Sequence, residues 1–164
     1  MPAVLLALVL VFVPGRGEAY AAGFLRQRAS LGDWRLTVRT DRFSGERRCR
    51  LVTRRGNASY TRGIIAIRLS RVFDPSEAVL RADGGAAVRW RGLIPELARL
   101  DPGFASERDP RKLQIPAALM KDAQQVEVSP AFGKRARRYR IAGLDAALEQ
   151  AVAFGCRSDA AFVR

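Results

Sequence analysis

Apolar residues in this chain recur at every second position in short runs, and arginine fills most of the positions between them. Leu36 and Val38 alternate with Arg35, Thr37 and Arg39, and Cys49 and Leu51 with Arg48 and Arg50. Ile65, Ile67 and Leu69 alternate with Ala66, Arg68 and Ser70, Val88 and Trp90 with Arg89 and Arg91, and Tyr139 and Ile141 with Arg138 and Arg140. A period of two is the repeat of a β-strand, so each run predicts a strand with one apolar side and one cationic side. Residues 78–82 and 126–129 add two shorter strands. Arg55-Gly56-Asn57 and Asp83-Gly84-Gly85 each separate two runs with residues suited to a hairpin turn, which makes the pairing antiparallel. The expected fold is mainly β (α+β): an antiparallel sheet or sandwich of about six to eight short strands with a C-terminal helix packed on it.

That helix is expected over residues 144–154. Asp145 is placed to cap its amino end, Leu144, Leu148 and Val152 form one apolar stripe with Ala147, Ala151 and Phe154 beside it, and Gly155 stops it. Shorter helical turns are expected at 96–100 and 117–123, led by Pro95 and Pro116. Residues 101–112, broken by proline and glycine and rich in charge, read as the longest loop. A length of 164 residues is that of one domain, enough to bury roughly two-thirds of the extended chain's surface.

An apolar run from Ala3 to Val13, then Pro14, Gly15 and a stretch ending Ala19-Tyr20-Ala21, has the pattern of a secretory leader. Its apolar part is too short to cross a hydrocarbon core of about 30 Å. Residues 1–21 are therefore expected to be removed, leaving a single β-rich domain over 22–164 with no membrane-spanning segment, in the periplasm or outside the cell. In that oxidising setting the two cysteines, Cys49 and Cys156, are expected to form one disulfide; a pair of buried free thiols is the alternative.

The chain contains no histidine, which removes Ser-His and Cys-His nucleophile pairs, His-ligated metals and the commonest general base. Gly133-Lys134 lacks the rest of a phosphate loop, and no Gly-x-Ser-x-Gly occurs. No cofactor or metal is expected. A small carboxylate-based hydrolase could work without histidine, and Asp41, Glu46 and Asp83, in turns near strand ends, are the candidate acids. As turn and capping groups paired with arginine they would have no chemistry to do. Asn57-Ala58-Ser59 matches a glycosylation acceptor, a tripeptide common by chance.

The formal charge is +13, from 29 basic and 16 acidic residues. Most of it sits in residues 35–55 and 134–140. If those strands share a sheet, their arginines form one basic face able to hold phosphate or carboxylate. Arg48, Arg50, Arg138 and Arg140 are the expected anion contacts. The partner would be an anionic envelope component, polymer or lipid, or an acidic protein. Nucleic acid ranks lower, because Tyr60 and Tyr139 are the nearest rings for base stacking and Tyr139 is assigned inward. An excess of arginine from coding bias, on a merely solvated face, would leave the same pattern.

Trp34 opening a strand, Cys49 on the next, the Ile-rich strand at 65–67, a Pro-led turn, the Val126-x-Val128 strand and a closing Gly-Leu-Asp-Ala-Ala-Leu helix at 143–148 resemble the small exported bacterial proteins of the invasion-associated locus B family. The likeness spans residues 32–156. It implies a β-rich periplasmic or surface-associated domain with envelope or host-interaction roles and no established catalysis. The chain departs from that family in its arginine load and in having only two cysteines.

Overall fold

Arginine-spaced runs become strands here because each places a row of apolar side chains on one side and leaves the guanidinium groups in water on the other. The structure, a computed structural model, describes residues 24–69, 75–103, 111–131, 134–156 and 162. The leader expected over residues 1–21 lies outside them.

In chain order the strands are β1 (Phe24–Leu31), β2 (Trp34–Asp41), β3 (Arg47–Thr53), β4 (Ala58–Thr61), β5 (Ile64–Arg68), β6 (Val79–Ala82), β7 (Val88–Arg89), β8 (Lys112–Pro116), β9 (Gln125–Ser129) and β10 (Arg137–Arg140). Helix α1 (Ile94–Leu100) precedes β8, and α2 (Leu144–Ala153) follows β10. The strands form a six-stranded sheet in the order β1-β2-β3-β4-β5-β8 and a four-stranded sheet in the order β10-β9-β6-β7. All their pairings are antiparallel. The chain crosses from the first sheet to the second after β5, returns to lay β8 on the first, and crosses again to β9.

Both sheets bury their apolar sides in one core. Leu36, Val38, Cys49, Leu51, Ile65, Ile67, Leu113 and Ile115 from the first sheet are no more than 1% exposed, and Leu80, Val126, Val128 and Tyr139 from the second are buried. Each large apolar side chain so buried contributes about 1.5–3 kcal/mol. Two indoles fasten the layers. Trp34 Nε1 donates to the carbonyls of Ile141 (3.3 Å) and Ala142 (3.1 Å), just beyond β10, and Trp90 Nε1 donates to the Gln114 carbonyl of β8 at 2.6 Å.

The disulfide forms as expected between Cys49 and Cys156, with Cα atoms 6.1 Å apart, joining the middle of β3 to the segment just after α2. Phe162 then lays its backbone parallel to Cys49, where β3 extends past the short β4, and its ring meets Tyr60 edge-on at 5.2 Å.

Several details differ from expectation. β1 is an additional strand: Leu25, Gln27, Ala29 and Leu31 share one side, but a polar and a small residue there blur the alternation. Gly32-Asp33 joins it to β2, with Gly32 at φ +61°, the conformation that glycine brings to a two-residue hairpin. β8 begins at Lys112, where the expected loop ends, in a stretch for which the sequence reading predicts no strand. Its Leu113 and Ile115 face the core, and Pro116 is tolerated because β8 is an edge strand. β7 is only two residues long, with Val88 exposed, and Trp90 begins a 3-10 turn (Trp90–Leu93) instead of extending the strand.

Helix α2 is capped by Gly143 and not by Asp145, whose Oδ2 accepts from the Asp122 amide at 3.3 Å. Its buried stripe runs through Leu144, Ala147 and Ala151, leaving Val152 exposed, because small alanines let the helix lie close. The Pro95-led turn is α1, and the Pro116-led turn is the 3-10 segment Ala117–Met120.

Candidate anion-binding face

The outer side of the six-stranded sheet is built from register. Arg26 on β1 stands opposite Arg39 on β2, and Arg39 opposite Arg48 on β3. One step along, Arg28 faces Thr37, and Thr37 faces Arg50; one further, Ser30 faces Arg35, and Arg35 faces Val52. Directly opposed residues on neighbouring strands lie roughly 4.5–5.5 Å apart, so these guanidinium groups rise in rows from one surface. Arg26, Arg28, Arg35, Arg39, Arg48, Arg50 and Arg68 line a single depression of about 550 Å³ with Thr37, Val52 and Gly56, and no carboxylate is among its lining residues.

The electrostatics follow. Like charges placed opposite each other destabilise a sheet. The guanidinium of Arg26 is driven below its ordinary pKa chiefly by Arg28, then by desolvation and by Arg39 and Arg50. Arg48 shifts the other way, because its Nε donates to Glu46 Oε1 at 3.0 Å. Glu46 thus offsets one arginine at the rim. Arg26, Arg28, Arg35, Arg39, Arg50 and Arg68 have no carboxylate partner among the described residues.

Arg138 and Arg140 correct the expectation of one shared basic face. β10 belongs to the other sheet, so they lie on its outer side and not beside Arg48 and Arg50. Both are committed to carboxylates. Arg138 Nε donates to Glu127 Oε1 at 2.6 Å, Arg81 Nε donates to the other carboxylate oxygen at 2.5 Å, and Arg140 pairs with Asp33 at 2.6 Å. Glu127, 6% exposed, is held below the ordinary carboxylate pKa first by Arg138 and then by Arg81.

The candidate acids are occupied by backbone or arginine. Asp41 Oδ1 accepts from the amides of Phe43 and Ser44, both at 2.8 Å, and these bonds, Ser44's first, lower its pKa. Glu46 is the partner of Arg48. Asp83, in the β6–β7 turn of the second sheet, accepts from the amides of Gln124 and Gln125 at 2.9 Å each. Asn57 is half-buried, its side-chain oxygen accepting from the Thr53 hydroxyl at 2.7 Å. Tyr60 and Tyr139 are both buried, so neither ring offers a face for base stacking.

Arg26 and Arg28 are the face's unanticipated members, since they come with β1. The Gly32-Asp33 dipeptide, a two-residue hairpin turn after residues 24–31, is the signal that marks them. Among the described residues, no helix is long and apolar enough to cross a membrane, and no group of three Cys, Asp or Glu is placed to hold a metal ion. No protein-family model, curated protein or solved structure matches the chain.

Proposed function

We propose that this is an exported, non-catalytic binding protein that holds an anionic component of the cell envelope against the outer side of its six-stranded sheet. One observation carries the reading: seven arginines converge on one depression, and among the described residues only Arg48 of the seven is paired with a carboxylate. Guanidinium groups left unpaired at this density attract phosphate and carboxylate alike, and suit them geometrically. The disulfide supports an oxidising compartment. The resemblance to the invasion-associated locus B proteins points the same way and rests on pattern alone.

The test compares two double reversals that change net charge equally. Arg28→Glu with Arg50→Glu alters the depression, whereas Arg138→Glu with Arg140→Glu alters the other sheet. On immobilised heparin the parent is expected to be retained at low salt and released toward physiological salt, as exposed charges are screened. The first variant should elute at much lower salt with unchanged circular dichroism, and the second close to the parent, its melting temperature lowered because reversing Arg138 sets a second carboxylate against buried Glu127. Equal loss in the two variants would show that overall charge, and not this face, holds the anion.

A further inference from the structure

The hairpin joining β2 to β3 presents an aromatic ring to water. Phe43 is fully exposed at its tip. A single exposed apolar side chain calls for no explanation on its own. Two features set this one apart.

The first is that the turn beneath it is built. Asp41 accepts from the Phe43 and Ser44 amides, its carbonyl accepts from Gly45 N at 2.9 Å, its amide donates to the Glu46 carbonyl at 2.8 Å, and Gly45 takes φ +70°. None of these bonds uses the Phe43 side chain, so a polar residue would complete the turn equally well. The ring is held out at little entropic cost.

The second is its surroundings. Arg42 adjoins it in the turn, and the row Arg26–Arg39–Arg48 crosses β2 four residues before it. Leu25, paired with Thr40 at the same end of the sheet, is 52% exposed. Arg48 in the row is offset by Glu46, whereas Arg26 and Arg39 have no carboxylate partner among the described residues. An apolar tip beside such arginines matches a surface with anionic charge outside and hydrocarbon just beneath: the interface of an acidic bilayer. A soluble polyanion would use the arginines and leave the ring idle.

We infer that this end of the six-stranded sheet is a peripheral membrane-docking tip, in which Phe43 enters the headgroup region of an anionic bilayer while the arginine rows bind the phosphates. The inference rests on the anion-binding reading above and names lipid headgroups as the source of the anions.

Sedimentation with vesicles of phosphatidylglycerol and phosphatidylcholine, against phosphatidylcholine alone, tests it alongside heparin elution. The parent is expected to bind only the acidic vesicles. Phe43→Ser should weaken that binding at least about tenfold, the low end of the value of one phenylalanine's burial, without moving heparin elution. In a Phe43→Trp variant, emission should shift to the blue with acidic vesicles and stay unchanged with heparin. If Phe43→Ser binds vesicles as the parent does, or the parent keeps heparin but ignores vesicles, the docking tip is overturned while the arginine face stands. If the parent dimerises and Phe43→Ser does not, the tip is a self-association contact and the inference is wrong. Loss of both vesicle and heparin binding in the parent would overturn the anion-binding reading itself.

Discussion

Glu127 is the one carboxylate buried among the described residues, and its partners reach it from the strands on either side, Arg81 from β6 and Arg138 from β10. Its pKa is lowered from the ordinary 4.5 by those two bonds. A carboxylate lowered on folding contributes stability that is complete above its unfolded pKa and is lost as pH falls through the folded one. The protein is therefore expected to lose stability below about pH 4.5, the ordinary value for this group. Glu127→Gln should lower stability at neutral pH and flatten the acid loss, leaving the share due to Asp41, whose pKa is lowered in the same direction. Thermal melts at neutral and acid pH check this; an acid loss as steep in the variant as in the parent would assign it elsewhere. That Arg138 points outward is legible in its alternation with Tyr139. That it meets Glu127 is not, because the offset between two strands leaves no mark in either strand's own pattern.

The end of α2 shows how two effects at one glycine are separated. Gly155 has φ +81°, and a Cβ there would fall 1.8 Å from Arg47 Nη1. The guanidinium is the far end of an exposed side chain, whose Nη1 donates to the Phe154 carbonyl at 3.3 Å, and it swings aside at the cost of that exposed bond, whereas the backbone conformation stays. Gly155→Ala is thus expected to cost about 1–2 kcal/mol through the left-handed conformation, and an Arg47→Ala background should recover little of it. Denaturant titration of the three variants decides this; full recovery would mean that the clash dominates. At the same junction, Cys49→Ser should cost about 2–5 kcal/mol with the sheets retained. Native, unreduced protein should resist alkylation; free labelling of either thiol would contradict the bond. The strongly alternating elements β2, β3, β5 and β10, and the glycine stop of α2, are legible in the sequence. β1, β8 and the true helix cap are not, since Gln27, Ala29 and Pro116 hide the strands and a glycine does the work assigned to Asp145.

At the scale of the molecule, salt should act in opposite directions on stability and on binding. The chain carries a formal +13, and the rows on β1, β2 and β3 set like charges side by side. Added salt screens repulsion beyond about 8 Å at physiological strength, and the melting temperature should rise by roughly 2–5 °C from low to physiological salt. Retention on an anionic matrix should fall over the same range. A melting temperature that does not move would mean the rows are already relieved by side-chain spreading. Alternation states which side of a strand faces the core but not which sheet the strand joins. For that reason the arginines of residues 35–55 and 134–140 read as one face in sequence and stand on two sheets in the structure.

The crossing and recrossing of the chain also sets a timetable for synthesis. The five strands made first already pair in order, yet β5 stays an open edge until Lys112–Pro116 has been made and laid beside it. In between, the ribosome delivers β6 and β7, which pair with each other while β9, the other neighbour of β6, does not yet exist. Trp34, near the start of the first sheet, waits for the carbonyls of Ile141 and Ala142, and Cys49 waits for Cys156. Contacts so distant in sequence close slowly. Nascent chains ending before Ile141 should therefore stay sensitive to protease, with resistance arriving only once the last quarter of the protein has emerged.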